Sequence, residues 1–342
     1  MKVGLIGYAG SGKTTLLDAV SGGKRKGDLV AVPVSDPRFD AICAAVQPKK
    51  RVPVAVEILD NAATLRASGS QAGFAEAARR MDVLLHVVRE FDSPMAPFHA
   101  EPNIERDQGS LEAELVLADL GIIENRLSKL ARSLDAKKPG QPEFFEKNAL
   151  EKLQPALEDG EPIRRVDLSE EEKAAITGFQ MLTAKPIIIA INCGENEIGK
   201  RTDFEVNYKD PVFRICAEIE KEIALLDPEE RKAFLDDLGI ERPAGEALVK
   251  AVYDSLGLIT FFTAGENITQ SWPLREGSTA LRAADTIHSD IAKGFIRAEI
   301  THYEDFVKHG DMKAAYSANA MKLEGKEYVV QDGDIINIRN KS

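Results

Sequence analysis

One stretch near the amino terminus carries the clearest chemistry in the chain: Gly7-Tyr8-Ala9-Gly10-Ser11-Gly12-Lys13-Thr14. It satisfies G-x-x-x-x-G-K-[ST], follows the apolar run Val3–Ile6, and leads into Thr15–Val20, which reads as a helix. Strand, glycine loop and helix form the context in which this pattern makes a phosphate site. Phosphate oxygens need several N–H donors converging on one point, and a helix N-terminus supplies them with a favourable dipole. Glycines let the backbone curl into a concave nest and approach the phosphate closely. Ala9, Gly10, Ser11, Gly12 and Thr15 are therefore candidate phosphate contacts. Lys13 would reach the β- and γ-phosphates, and the Thr14 hydroxyl would be a ligand to Mg²⁺.

Asp60 is a second candidate. Val52–Leu59 alternates and then runs apolar, which reads as a strand ending at Asp60. An acidic residue at the carboxyl end of a strand beside a phosphate loop is where such folds hold magnesium, usually through water. His86 lies inside the apolar run Val83–Val88 and reads as a packed, hydrogen-bonded core histidine.

The elements that must position these groups can be read from spacing. Asp36 is a natural N-cap, with Pro37 at the first helical position of a helix through Val46. Ser21–Asp28 reads as an exposed, mobile loop and Asn61–Gly73 as a second loop, with a short helix at Ala75–Arg80. Val116, Leu120, Ile123, Leu127, Leu130 and Leu134 are spaced 4, 3, 4, 3 and 4, a heptad seam. Lys138-Pro139-Gly140 breaks it, and Phe144–Leu157 offers a return helix, so an antiparallel helical hairpin is expected. Ser169 followed by Glu172 has capping-box chemistry. Strands resume at Pro186–Ile191, which ends in Asn192-Cys193-Gly194-Glu195, and at Phe213–Ile215, followed by Cys216-Ala217-Glu218. A strand–helix alternation that starts, is interrupted and resumes is an α/β domain carrying an insertion. From Ile259 onward a small strand-rich α+β domain is expected, with strands at Ile259–Phe262, Trp272–Leu274, Lys326–Val330 and Asp334–Ile338 and a turn at Asp332-Gly333.

Composition narrows the classes. The 342 residues, 44% hydrophobic and 29% charged, suit a soluble globular chain of two or three units. No apolar run has the length of a membrane span, and the start does not read as a signal peptide. A net charge of −12 argues against a chain that coats nucleic acid, and no sequence-specific DNA binding is expected. Cys43, Cys193 and Cys216 lack metal spacing and fit reduced thiols in a cytoplasmic protein.

At this point the chain resembles the YchF / Obg-like ATPase family. The resemblance runs nearly end to end. It is most specific in Leu258–Gly265, Ile287–Asp290, Lys293–Glu299, Tyr303–Phe306 and Leu323–Asp334, which look like that family's TGS domain, a β-grasp module. Glu112–Asp119 resembles the start of its helical insertion, and Asp167–Ser169 with Glu172–Ile176 resembles the end. The resemblance implies a Ras-like P-loop core at residues 1–109 and 178–260, a helical coiled-coil insertion at 110–177 and a TGS domain at 261–342. Asn192-Cys193-Gly194-Glu195 matches the family's N-x-x-E, which implies that Asn192 and Glu195 meet the base and that ATP is used over GTP. Adenine lacks the ring donors that an aspartate in this loop accepts from guanine. Cys216, Ala217 and Glu218 resemble the last nucleotide loop, and His99 lines up with a histidine proposed as catalytic in the family. The ribosome or its RNA is the implied partner.

Three departures bear on hydrolysis. Ser21–Ser35 is shorter than the family's switch and holds no threonine. The family's D-x-A-G reads Asp60-Asn61-Ala62-Ala63, so the glycine that meets the γ-phosphate is Ala63. Thr64 stands near the position of the hydrophobic residue that replaces a catalytic glutamine. Two functions follow from the sequence: a slow Mg²⁺-dependent ATPase or GTPase, or a catalytically degenerate nucleotide-binding adaptor that docks a large partner through its helical and TGS parts.

Overall fold

Runs that are apolar on both faces need helices above and below them, which is the habit of parallel strands. Val83–Val88 and Ile187–Ile191 meet that demand and are buried throughout. The computed structural model describes residues 1–23, 27–65, 71–94, 96–200, 202–237, 242–310 and 312–341. Among them the strands are, in chain order, β1 (Lys2–Tyr8), β2 (Leu29–Pro33), β3 (Lys50–Val52), β4 (Ala55–Leu65), β5 (Val83–Arg89), β6 (Ile187–Asn192), β7 (Val212–Ile215), β8 (Leu258–Ala264), β9 (Ile268–Arg275), β10 (Phe295–Thr301), β11 (Lys322–Glu324) and β12 (Ile335–Asn340). They form two sheets, ordered β2-β4-β1-β5-β6-β7 and β11-β10-β12-β8-β9-β3. The residues group into two compact units, Met1–Ala31 with Glu57–Leu248, and Val32–Val56 with Val249–Ser342.

In the first unit β1, β4, β5, β6 and β7 pair in parallel. Ile6, Leu84, Val88, Ile189 and Ile191 pack with Leu111 and Leu115 of the helix Ile104–Leu130. The register delivers Arg89, Asn192 and Ile215 side by side at the carboxyl edge of the sheet. That edge is where open parallel sheets bind ligands.

The helical insertion belongs to this unit. Val116, Ile123 and Leu130 form a common core with Leu150, Leu153 and Leu157 of the return helix Pro142–Glu158. Leu134, expected on the seam, lies beyond the helix and is 73% exposed, so the seam ends at Leu130. The capping box forms: Ser169 Oγ accepts from Glu172 N at 3.2 Å, and Glu172 accepts from Ser169 N at 2.9 Å. Asp119 is fully buried and accepts from Leu182 N, Thr183 N, Thr183 Oγ1 and Arg79 Nη1 at 2.7–3.0 Å.

The expected loop Asn61–Gly73 is corrected at both ends, at Asn61–Leu65 and from Gln71 on, while residues 66–70 lie outside the described residues. β4 runs on to Leu65, and Ala63, Thr64 and Leu65 stand in register with Ile6, Gly7 and Tyr8. A neighbouring strand supplies the ladder that these small, polar residues do not advertise. The following helix spans Gln71–Arg79. The side chains of Ala63 and Thr64, and residues 24–26 of the expected loop Ser21–Asp28, lie outside the described residues. The single strand expected at Val52–Leu59 is instead two strands in different sheets, β3 and β4, separated at Pro53, which has no N–H to donate.

The second unit holds the other sheet. Ala280, Ala283 and Ala284 of the helix Ala280–Ile287 pack on Phe261, Leu274, Ala298 and Ile336. Lys326–Val330 is not a strand: its pairing among the described residues is one bridge, Thr279 to Val329. The turn at Asp332-Gly333 is present, with Gly333 at φ +91°. Asp332 accepts there from Thr260 N at 2.8 Å and from Arg38 Nη1 at 2.7 Å. Val32–Val56, which the sequence places inside the segment 1–109, groups with this unit. Its helix Pro37–Val46 is capped by Asp36 and packs Phe39, Ile42 and Cys43 against Phe262, Phe306 and Ile335.

Candidate functional site

The phosphate loop joins β1 to the helix Lys13–Val20. Gly7, Gly10 and Gly12 all have positive φ, at 139°, 80° and 89°. A Cβ on Gly7 would collide with the Val87 carbonyl, and one on Gly12 with Asn192 Nδ2, so both glycines are required by space as well as by conformation. Ala9 and Gly10 are exposed at the loop's rim, Ser11 is buried, and Thr15 is half-buried.

Lys13 is buried, and its Nζ donates to the carbonyls of Gly7 at 3.0 Å and Tyr8 at 2.7 Å. Burial lowers its pKa to about 8, and the charge of Asp60 opposes the shift. The exposed Thr14 donates its hydroxyl to the buried carboxylate of Asp60 at 2.8 Å. A hydroxyl and a carboxylate at the mouth of a phosphate loop are hard oxygen donors that suit Mg²⁺. Among the described residues no group of three or more His, Cys, Asp or Glu side chains could hold a metal.

Asn192 ends β6 and is buried. Its Nδ2 donates to the Ser11 carbonyl at 3.1 Å, and its Oδ1 accepts from Ala217 N at 3.1 Å. One side chain thus ties the phosphate loop to the N-terminus of the helix Ala217–Leu225. Around it lies a cavity of about 440 Å³, lined by Gly12, Thr15, Phe91, Cys193, Gly194, Glu195, Cys216, Glu218 and Phe234, among others. The carboxylates of Glu195 and Glu218 are exposed. Cys193 is buried beside Cys216, and burial pushes its thiol up to about 11.

His99 is brought to the loop from the other side. Its ring lies 4.1 Å from the Tyr8 ring and 4.3 Å from the Phe98 ring, and its Nε2 is 3.2 Å from Asp107 Oδ1. His86 is buried as expected, yet neither ring nitrogen has a hydrogen-bond partner among the described residues, which corrects the hydrogen-bonded reading. β5 presents it into an apolar layer, and burial with the nearby Lys13 charge lowers its pKa to about 3.

The structure brings Ala9–Thr15, Asp60, Asn192, Glu195, Cys216–Glu218 and His99 to one edge of one sheet. Sequence reasoning missed the walls. Phe91, Asp92 and Ser93 line the cavity directly after β5, and Phe234 comes from the helix Pro228–Asp237. Arg89, the last residue of β5, is 2% exposed and donates to Gly10 O at 3.0 Å, Ala96 O at 2.8 Å and Phe91 O at 2.9 Å. An arginine closing an otherwise apolar strand was the available signal.

Similarity to known proteins runs along the whole chain. A curated protein of Bacillus subtilis (strain 168), named "Ribosome-binding ATPase YchF", is 35% identical, with 99% of each chain covered. The chain belongs to the YchF family. The protein of the same name from Haemophilus influenzae is 36% identical over 99% of this chain and 98% of that one. The family model YchF-GTPase_C, described as "Protein of unknown function (DUF933)", matches residues 258–341. The structure of the Schizosaccharomyces pombe YchF GTPase is similar at a TM-score of 0.88 and 28% identity, covering 99% of this chain and 97% of that chain. The YchF family assignment therefore covers both units. No helix among the described residues is long and apolar enough to cross a membrane.

Proposed function

We propose that the chain is a YchF-type nucleotide-binding protein. It takes a purine nucleoside triphosphate with Mg²⁺, ATP in preference to GTP, hydrolyses it slowly, and acts in the cytoplasm in association with the ribosome. The observation that carries the reading is Asn192, which joins the phosphate loop and the Ala217 helix around one cavity of nucleotide size. The names of the relatives from Bacillus and Haemophilus support both the ATP and the ribosome parts.

In this reading the amides of Ala9–Thr15 and the Lys13 ammonium take the phosphates. Thr14 and Asp60 would hold Mg²⁺, which when bound supplies positive charge to the β- and γ-oxygens. The Cys193-Gly194-Glu195 and Cys216–Glu218 loops border the base, and Asn192 keeps both loops in place. His99, held through Nε2 by Asp107 and stacked on Tyr8, is the group assigned to the attacking water. The helical segment 110–177 and the TGS segment 261–342 are assigned to ribosome docking.

Calorimetric titration of ATP, GTP and ADP with Mg²⁺, paired with a phosphate-release assay, tests this. Tight ATP binding lost in Lys13→Ala, with slow phosphate release lost in the same variant, is the expected result. Binding without release in the parent chain would leave a nucleotide-holding adaptor. No binding of any nucleotide would overturn the reading. Co-sedimentation with ribosomes in each nucleotide state tests the partner.

A further inference from the structure

Arg89 is one of the largest fully buried side chains in the molecule, and its position is unusual for a cation. Its three hydrogen bonds all go to neutral backbone carbonyls: Gly10 in the phosphate loop, Phe91 in the cavity wall and Ala96 beyond it. Its guanidinium carbon lies 4.2 Å from the Phe91 ring centre and 4.9 Å from that of Phe98. Among the described residues no carboxylate accepts a hydrogen bond from it, and the nearby Asp92 acts on it only through its charge. A buried guanidinium whose hydrogen bonds all go to neutral dipoles, with Asp92 near but not hydrogen-bonded to it, keeps part of its charge uncompensated.

The surroundings show what that charge and that geometry act on. A Cβ on Gly10 would stand 2.7 Å from the Pro97 carbonyl and 3.5 Å from Arg89 Nη1, so loop and segment are pressed together at this point. Phe91 faces the cavity and approaches Gly12 at the other end of the loop. The planar fork of Arg89 therefore braces two surfaces at once, which a lysine's single point charge cannot reproduce.

We propose that Arg89 is a positioning residue that fixes the phosphate loop against the cavity wall and places a buried positive charge behind the loop to favour polyphosphate. The proposal rests on the nucleotide reading of the site. The hydrogen bonds of Arg89 all go to backbone carbonyls, so it acts through the loop and through Phe91. Because the field of a buried charge falls slowly across a few ångströms of protein, its effect grows with the charge on the ligand.

The test is the affinity of the full chain for AMP, ADP and ATP with Mg²⁺, in the parent, Arg89→Met and Arg89→Lys. In Arg89→Met we expect about a tenfold loss for ATP, a smaller loss for ADP and under about twofold for AMP. Arg89→Lys keeps the charge and loses the fork, so its losses are similar for the three nucleotides while the parent's preference for more phosphates is retained. Equal losses in Arg89→Met across AMP, ADP and ATP, or none, would overturn the proposal while leaving nucleotide binding intact. If Arg89→Met fails to fold, Arg89→Lys decides: a retained preference for more phosphates supports the proposal, and a lost one overturns it. A parent chain that binds no nucleotide fails the nucleotide reading itself.

Discussion

Asn192 donates its Nδ2 to the Ser11 carbonyl at 3.1 Å, so the end of one strand holds a loop that begins at the end of another. Its Oδ1 is committed to Ala217 N, which leaves the amide no freedom to flip without losing both bonds. Asn192→Asp replaces the donor with an oxygen that faces the Ser11 carbonyl. We expect a loss of about 1–3 kcal/mol in stability and a larger relative loss in nucleotide affinity, because the loop and the Ala217 helix are released together. Thermal melts with and without ATP check this. A variant that melts and binds like the parent would show that the amide is dispensable.

Lys13 ties the site to pH. Its ordinary value of 10.5 falls to about 8 in the folded chain through burial. Between pH 8 and 10.5 the unfolded chain binds the proton more readily than the native one, so this residue makes stability rise with pH in that window. Phosphate needs the ammonium form, so nucleotide binding above pH 8 should take up about one proton. Calorimetry in buffers of different ionisation heat measures that uptake, and Lys13→Arg should abolish it. Equal heats in all buffers at pH 9 would contradict the assignment.

His86 acts at the acid end. Its pKa is lowered from 6.5 to about 3, so the native chain resists a proton that the unfolded chain accepts. The neutral ring's contribution is fully present above pH 6.5 and is lost as pH falls toward 3. His86→Leu removes from an apolar layer two nitrogens that have no hydrogen-bond partner among the described residues. We expect this variant to be at least as stable as the parent at pH 7 and to show a shallower loss of stability between pH 6 and 4 in urea unfolding. A His86→Leu chain with the parent's acid profile would assign the acid loss to other groups.

Asp119 anchors the helical insertion. It accepts two backbone N–H groups, one hydroxyl and Arg79, all inside the first unit. Asp119→Ala leaves those donors buried without a partner, and we expect a loss of about 3–5 kcal/mol in urea unfolding. Asp119→Asn keeps the shape and should lose less. A change below about 1 kcal/mol in Asp119→Ala would mean that water replaces the carboxylate.

What could be read from sequence follows from how local each feature is. The phosphate loop is legible because its function is a backbone shape, and glycine spacing encodes backbone shape directly. The capping box at Ser169–Glu172 and the seam through Leu130 are legible for the same reason: each is decided within a few turns of one helix or two. The extension of β4 through Asn61–Leu65 is not, because its small polar residues are held by pairing with β1. The cavity wall is illegible in the same way. Phe91 and Phe234 are distant in the chain and line one cavity only in the folded protein. The expected strand Lys326–Val330 has the composition of a strand, yet Tyr328 is committed to Asp334, and the backbone there makes a single bridge.

The grouping of Val32–Val56 with Val249–Ser342 has a consequence for biosynthesis. Phe39, Ile42 and Cys43 are translated well before Phe262, Phe306 and Ile335, which cover them. At roughly 5–20 residues per second the ribosome takes on the order of ten to sixty seconds to travel that distance. During that interval an amphipathic helix already capped by Asp36 has its apolar face uncovered. A nascent chain stalled before Leu258 should therefore be sensitive to proteases within Pro37–Val46, and a chain extended past Ile335 should lose that sensitivity.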